Sequence, residues 1–297
     1  MKLLSGTGVA VVTPFQEQAT VDFPALRNVI SYLIQGGVEY LVALGTTAEA
    51  ATLSSAEQTK VIEVFQEETQ GKIPLVLGVG GNNTAAICQK AREYEQRYRP
   101  AAFLSVSPYY NKPSQEGIYQ HFKALCEATD TPIILYNVPG RTSSNISAQT
   151  CLRLARDFAQ VVAIKEASGD MEQIMHILHQ RPQGFLVLSG EDTLTLPMVA
   201  LGCDGVISVT ANAFPAEFSN MTRAALAHDL DTAQQLHYEL LPFMDLNFRE
   251  GNPTGVKALM QLLGVCGDHV RLPLVPGTSE LRQAMDQALQ ARKAYSS

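Results

Sequence analysis

Two apolar patterns alternate along the chain. Short runs rich in β-branched residues give way to longer stretches in which apolar side chains return every three or four positions. Gly8 to Thr13 (G-V-A-V-V-T) is the first short run, ended by Pro14, and its composition predicts a strand buried on both faces. Asp22 then caps a helical pattern with Phe23, Leu26, Val29, Ile30 and Leu33, which Gly36-Gly37 stops. Tyr40 to Leu44 predicts the second strand, and Ser54 and Ser55 are N-cap candidates for a helix reaching Thr69. The pairing continues with strand Ile73 to Val79 and helix Thr84 to Arg97, then strand Ala101 to Val106 and helix Gln115 to Ala128. Pro132 to Val138 precedes helix Ser147 to Asp157, and Val161 to Ala167 precedes Asp170 to Gln180. Phe185 to Ser189 precedes a short helix, Thr193 to Leu201, and Gly205 to Val209 precedes Pro215 to Ala227.

Strand then helix, eight times at a spacing of about 25–30 residues, is the repeat of a (β/α)8 barrel, an α/β fold. From about Leu230 the strand pattern stops, and Asp231–Phe248, Pro253–Leu263 and Ser279–Lys293 read as helices. No linker separates them from the barrel. The expected organisation is a catalytic barrel over residues 1–229 and a packed C-terminal three-helix appendage over 230–297. A dinucleotide-binding sheet fits less well. Gly78-Val79-Gly80-Gly81 follows a strand and precedes a helix, but the third glycine of that fingerprint would fall on Asn83.

Composition narrows the classes of function. With 297 residues, 46% of them hydrophobic and 17% charged, the chain has an ample globular core. Its net charge of −7 disfavours nucleic acid or an anionic membrane as the main partner. No apolar run reaches the roughly 18 residues of a membrane span, and Met1-Lys2-Leu3-Leu4-Ser5-Gly6 forms no signal-peptide core. A cytoplasmic location is the default. Cys88, Cys126, Cys151, Cys203 and Cys266 are scattered without a C-x-x-C pair and read as free thiols. His176 and His179 lack a second ligand pair, so no metal site is expected.

The candidate chemistry gathers around Val161-Val162-Ala163-Ile164-Lys165-Glu166-Ala167. In isolation, its lysine reads as one that leaves a buried strand end for water. In a barrel, that strand end lies at the face where active sites form. With alternating side chains, Val161, Ala163 and Lys165 share one face; if that face is inward, Lys165 enters the mouth and Glu166 points to the helices. A neutral amine there is the nucleophile that condenses with a carbonyl to a Schiff base. Strand five brings Tyr136, a phenol one strand away, and the loop after it, Asn137-Val138-Pro139-Gly140-Arg141-Thr142, offers a guanidinium on a constrained turn, suited to a substrate carboxylate. Strand two delivers Gly45-Thr46-Thr47, and strand four ends at Tyr109-Tyr110, an aromatic pair of the kind found at interfaces. The two acids of Ser189-Gly190-Glu191-Asp192 argue against a phosphorylated substrate.

These strings together resemble one family. Gly45-Thr46-Thr47-Ala48-Glu49, Tyr109-Tyr110-Asn111-Lys112-Pro113, Tyr136 through Thr142, Ile164-Lys165-Glu166-Ala167 and Gly205 through Asn212 occur in the order found in the dihydrodipicolinate synthases. These belong to the pyruvate-dependent N-acetylneuraminate lyase superfamily, and the likeness covers essentially the whole chain. The resemblance implies a lyase of the class I aldolase type, 4-hydroxy-tetrahydrodipicolinate synthase activity, which condenses pyruvate with L-aspartate 4-semialdehyde on the way to diaminopimelate and lysine. It implies no separate cofactor, only a covalent imine between Lys165 and pyruvate. It assigns proton transfer to Tyr136, linked to Thr46 and to a neighbouring subunit's Tyr110. Thr47 would hold the pyruvate carboxylate, Arg141 that of the second substrate, and the backbones of Gly190 and Ile207 would line the pocket. A homotetramer built as a dimer of dimers is expected on the same ground.

Two departures bear on that reading. Ala48 stands where the family commonly has glycine, which would strain the loop if the position needed a positive φ. In lysine-inhibited relatives, lysine binds in a crevice near the double tyrosine. Asn82 and Tyr109 match that pattern, Ala86 stands where those relatives place a glutamate, and Ser55 and Gln58 stand where some place histidines. Weak or absent inhibition follows unless Glu49 or Glu57 substitutes for the missing acid. Two other readings remain: a sister pyruvate-dependent lyase acting on another aldehyde, and a barrel that only binds a keto acid.

Overall fold

The computed structural model describes residues 2–295. Its strands are β1 (Gly6–Ala10), β2 (Tyr40–Ala43), β3 (Leu75–Gly78), β4 (Ala102–Val106), β5 (Ile133–Asn137), β6 (Val161–Glu166), β7 (Leu186–Ser189) and β8 (Gly205–Ser208). They pair in parallel in chain order, and β8 closes on β1. Around them run α1 (Phe23–Gln35), α2 (Ser55–Thr69), α3 (Thr84–Tyr98), α4 (Gln115–Cys126), α5 (Pro139–Thr142), α6 (Ala148–Asp157), α7 (Met171–Gln180), α8 (Thr195–Ala200) and α9 (Pro215–Leu226). Three more helices follow: α10 (Leu230–Arg249), α11 (Thr254–Leu262) and α12 (Ser279–Tyr295). The fold is the expected (β/α)8 barrel with C-terminal helices. Among the described residues, no helix is long and apolar enough to cross a membrane.

Local chemistry explains the boundaries. Asp22, Ser54, Asn83, Ser114, Ser147, Asp170 and Asp229 each cap a helix by accepting from a backbone N–H in its first turn. Ser54 and Glu57 complete a reciprocal capping box on α2. The first strand ends earlier than its β-branched run suggests, because the Val12 N–H donates to Asn212 Oδ1 rather than to a strand carbonyl. The one-turn helix α5 replaces an expected loop; Pro139 opens it with a φ already suited to a helix.

The barrel interior is filled. Tyr40 is fully buried at the start of β2 and donates its hydroxyl to the Val206 carbonyl at 3.2 Å. A Cβ on Gly8 would lie 2.1 Å from the Tyr40 ring, so glycine on β1 makes room for the phenol. Above it pack Val42, Val76, Leu104, Ile134, Ala163, Leu188 and Ile207, while a second apolar layer joins the outer strand faces to the helices. The cysteines are free. Burial pushes the Cys126 and Cys203 thiols up to about 12, which keeps them protonated and inert.

One ion pair lies wholly inside. Lys257 on α11 is 0% exposed and donates to Glu49 Oε1 at 2.6 Å and to the His269 carbonyl at 2.8 Å. Glu49 Oε2 accepts the Arg271 N–H at 2.9 Å. The Lys257 ammonium also lies 4.3 Å from the Phe15 ring centre. Burial pushes the lysine pKa down, and Glu49 opposes that shift. Removing one member strands a charge in the core. Lys257→Met should therefore cost about 3–5 kcal/mol of stability in urea unfolding, and adding Glu49→Gln should recover most of it. A loss below about 1 kcal/mol would show that the pair is solvated.

Candidate active site

All eight strands point their C-terminal ends to one face of a barrel of this kind. Tyr136 and Lys165 lie directly opposite each other there, on β5 and β6. Lys165 is only 4% exposed, and its ammonium sits 4.4 Å from the centre of the Tyr136 ring. The electron-rich face of the phenol attracts that cation.

The next residue fixes this arrangement. Glu166 is fully buried on the helix side, where it accepts from Asn137 Nδ2 at 2.8 Å, Gln173 Nε2 at 2.9 Å and Ser168 Oγ at 2.7 Å. Burial pushes its carboxyl pKa up, and these donors oppose the shift. Because alternate residues face opposite sides of a strand, anchoring Glu166 outward commits Lys165 to the interior. The expected common face of Val161, Ala163 and Lys165 needs one correction. The register slips between Ile133, opposite Val161, and Ile134, opposite Ala163. Ala163 packs inside the barrel, whereas Val161 packs with the outer layer. An irregularity of this type adds a residue to one strand and resets its phase.

Gly190 clears the path of the lysine stem. A Cβ there would lie 2.9 Å from Lys165 Cε and 2.7 Å from Ala167 Cβ. Its N–H donates to the Glu166 carbonyl at 2.6 Å, which binds the loop after β7 to the end of β6.

After β2 the chain makes a 3-10 turn at Thr46–Ala48. Positive φ falls on Leu44 (58°) and Glu49 (54°), not on Ala48. The alanine that replaces the family's usual glycine is therefore accommodated without left-handed strain. Thr47 is buried, and its Oγ1 accepts from Asn252 Nδ2 at 2.9 Å. The Ala48 carbonyl accepts from Thr13 Oγ1 at 2.8 Å.

Thr46, Thr47, Tyr136, Arg141, Lys165 and Gly190 wall one small chamber, together with Glu191 and Asn252. Thr46, Tyr136 and Arg141 also line an adjoining cavity of about 530 Å³. Arg141, exposed on α5, forms no salt bridge among the described residues. Burial raises the Glu191 pKa, Asp192 adds to that, and Lys165 and Arg141 pull it down. Two expected residues stand apart. Ile207 is fully buried in the barrel interior beneath the chamber. Tyr110 is 88% exposed, with φ at 74°, and does not line the chamber of its own chain.

Sequence reasoning overlooked Asn252 and Lys257, and saw in Glu191 only a charge repelling phosphate. Lys257 carried a signal: it is the lone cation in Gly255-Val256-Lys257-Ala258-Leu259-Met260, as Lys165 is in its strand. Asn252 carried none, because a polar residue in a turn is unremarkable.

A closed parallel barrel holding an amine beside a phenol at its mouth has the architecture of lyases of the class I aldolase type. The chain belongs to the dihydrodipicolinate synthetase family, whose model matches residues 3–292. It is 51% identical over 288 residues to the 4-hydroxy-tetrahydrodipicolinate synthase of Flavobacterium psychrophilum, covering 96% of this chain and 97% of that one. It is 50% identical over 273 residues to the enzyme of the same name from Parabacteroides distasonis, covering 92% of each. Among solved structures, dihydrodipicolinate synthase from Thermotoga maritima superposes with a TM-score of 0.95 at 36% identity, covering 98% of this chain and 99% of that one.

Proposed function

We propose that Lys165 is the amine on which this enzyme condenses pyruvate with L-aspartate 4-semialdehyde, a reading supported by relatives named 4-hydroxy-tetrahydrodipicolinate synthase. The observation that carries the reading is the buried Lys165 ammonium 4.4 Å from the Tyr136 ring, in a chamber shared with Thr46, Thr47 and Arg141. The ammonium first gives up a proton, the neutral amine attacks the ketone carbon of pyruvate, and water leaves as the imine forms and its nitrogen takes the proton back. The protonated imine draws electrons from the neighbouring methyl group, which loses a proton to give an enamine. The enamine carbon attacks the aldehyde carbon of the second substrate, and its oxygen takes a proton. The amino group of that substrate then attacks the imine carbon, closing the ring and releasing Lys165. The sum is 4-hydroxy-tetrahydrodipicolinate, one water and one proton. No separate cofactor enters this sequence.

The roles divide by position. Tyr136, backed by Thr46, moves protons at the imine and the new alcohol. Thr47 holds the pyruvate carboxylate. Arg141, a guanidinium without a salt bridge among the described residues, takes the carboxylate of the semialdehyde, with Gly190 and Ile207 shaping the wall and floor. The barrel over 1–229 carries the chemistry, and the helices over 230–297 brace it. Borohydride reduction in the presence of pyruvate should add one reduced pyruvate to Lys165. Lys165→Ala should keep the fold and lose nearly all turnover with semialdehyde, and full activity in that variant would end the assignment. A sister lyase would trap pyruvate as well but leave the semialdehyde unconsumed, whereas a mere binder would form no adduct.

Tyr110 bears on assembly. An exposed phenol with a strained backbone beside the mouth suits insertion into a neighbour's site. We expect at least a dimer, arranged further into a dimer of dimers. Tyr110→Phe should lose most activity while still forming the pyruvate imine, and an active monomer at assay concentration would refute the shared site.

Lysine should inhibit weakly or not at all. Ala86 supplies no carboxylate, and both candidate substitutes are engaged elsewhere: Glu49 with Lys257, and Glu57 with the Arg271 guanidinium. The Lys90 ammonium already sits 2.9 Å from Gln58 Oε1 on the same wall. Losing a charge-assisted contact weakens binding by about 1.5–3 kcal/mol, or roughly 10- to 150-fold. Strong sub-millimolar inhibition in a lysine titration would show that the crevice is rebuilt.

A further inference from the structure

The loop that carries Thr46 and Thr47 is pinned at three successive residues. Thr47 Oγ1 accepts from Asn252, the Ala48 carbonyl from Thr13, and the Glu49 carboxylate from Lys257 and the Arg271 N–H. The first and third pins come from segments beyond the barrel repeat. Asn252 lies between α10 and α11, 205 residues from Thr47 in sequence. It nevertheless reaches the wall of the chamber that holds Lys165.

The direction of the Asn252 bond matters. A threonine hydroxyl has one proton to donate and lone pairs to accept with. Here the amide of Asn252 occupies a lone pair. No acceptor among the described residues takes the Thr47 hydroxyl proton. That proton is left for an acceptor in the chamber. Thr47 is 2% exposed and Asn252 7%, so bulk water does not compete freely for either group. The other amide atom, Asn252 Oδ1, is buried with no partner among the described residues, so donation to Thr47 is the one hydrogen bond the side chain makes among them.

We propose that Asn252 is a positioning residue. It orients the Thr47 hydroxyl so that its proton meets the carboxylate of the bound keto acid. The Glu49–Lys257 pair holds the same loop at the depth where that contact is made. The helices after the barrel thereby set the affinity for the first substrate, although they carry no group that reacts. This inference rests on the reading of Thr47 as the carboxylate-holding residue.

The test is a double-mutant cycle on the full-length enzyme, using Thr47→Val, Asn252→Ala and the pair, read by steady-state kinetics in both substrates. Asn252→Ala should raise the pyruvate KM about 10-fold, as loss of a preset hydrogen bond predicts. It should leave kcat within about twofold and the KM for semialdehyde unchanged. Thr47→Val should behave alike, and the double variant should be no worse than the poorer single, because both remove one contact. Asn252→Leu, which keeps the volume and removes the donor, gives the same readout if the alanine variant folds poorly. An unchanged pyruvate KM, a fall confined to kcat, or fully multiplicative effects in the cycle would each overturn the proposal. Borohydride trapping at saturating pyruvate runs alongside. If the unaltered enzyme traps pyruvate on Lys165 while Asn252→Ala leaves the KM unmoved, the positioning role alone falls. If the unaltered enzyme traps nothing, the catalytic reading falls, and this inference with it.

Discussion

A lysine can be kept inside a barrel mouth only if its strand cannot slip by a residue. In this chain Glu166 supplies that constraint. Its carboxylate is buried on the helix side and held by donors from β5, α7 and the loop between β6 and α7. A one-residue shift of β6 would drive this charge into the apolar interior and turn Lys165 out among the helices. The two neighbours are thus mutually exclusive tenants of opposite faces. Gly190 completes the arrangement by tying its N–H to the Glu166 carbonyl and leaving the lysine stem its only clear course.

The same logic recurs at the loop after β2. Glu49 and Lys257 are both charged and both enclosed, which is tolerable only because each satisfies the other and the remaining donors and acceptors find backbone partners. With the Asn252–Thr47 bond and the Arg271 contacts, the pair ties the loop after β2 to the segments beyond the barrel repeat. Apolar packing accepts small sliding motions, whereas a hydrogen-bonded ion pair specifies one geometry. If Thr47 aims its hydroxyl at a carboxylate, as proposed, the loop gains from the second kind of contact.

Much of this was legible in the sequence, because most of it is local. The alternation of β-branched runs with helical periodicity, and caps such as Asp22, Ser54 and Asp170, report on neighbours a few residues away. That Lys165, Tyr136, Thr46, Thr47 and Arg141 meet at one chamber was legible because a barrel collects its strand ends at one face. What escaped was either long-range or a matter of phase. The slip beside Ile133 changes which face Val161 takes, and nothing in Val161-Val162-Ala163 marks it. Asn252 reaches Thr47 from 205 residues away in sequence, and a turn asparagine looks the same with or without such a partner. The helical turn at Pro139 reads as a loop in the sequence because four residues are too few to show a period.

The filled barrel interior has a consequence for the order of events. With Tyr40 buried across the lower end and Gly8 cut back to admit it, no passage runs through the barrel. Entry and exit therefore share one door. On the proposed role of Lys165, a molecule joined to it would occupy the blind end, and whatever reacts with it would arrive afterwards and from above. A second reactant that came first would stand between the amine and its partner as an obstruction. The traffic is that of a cul-de-sac: the deepest occupant enters first, and the fused product backs out past the doorway residues before another cycle begins.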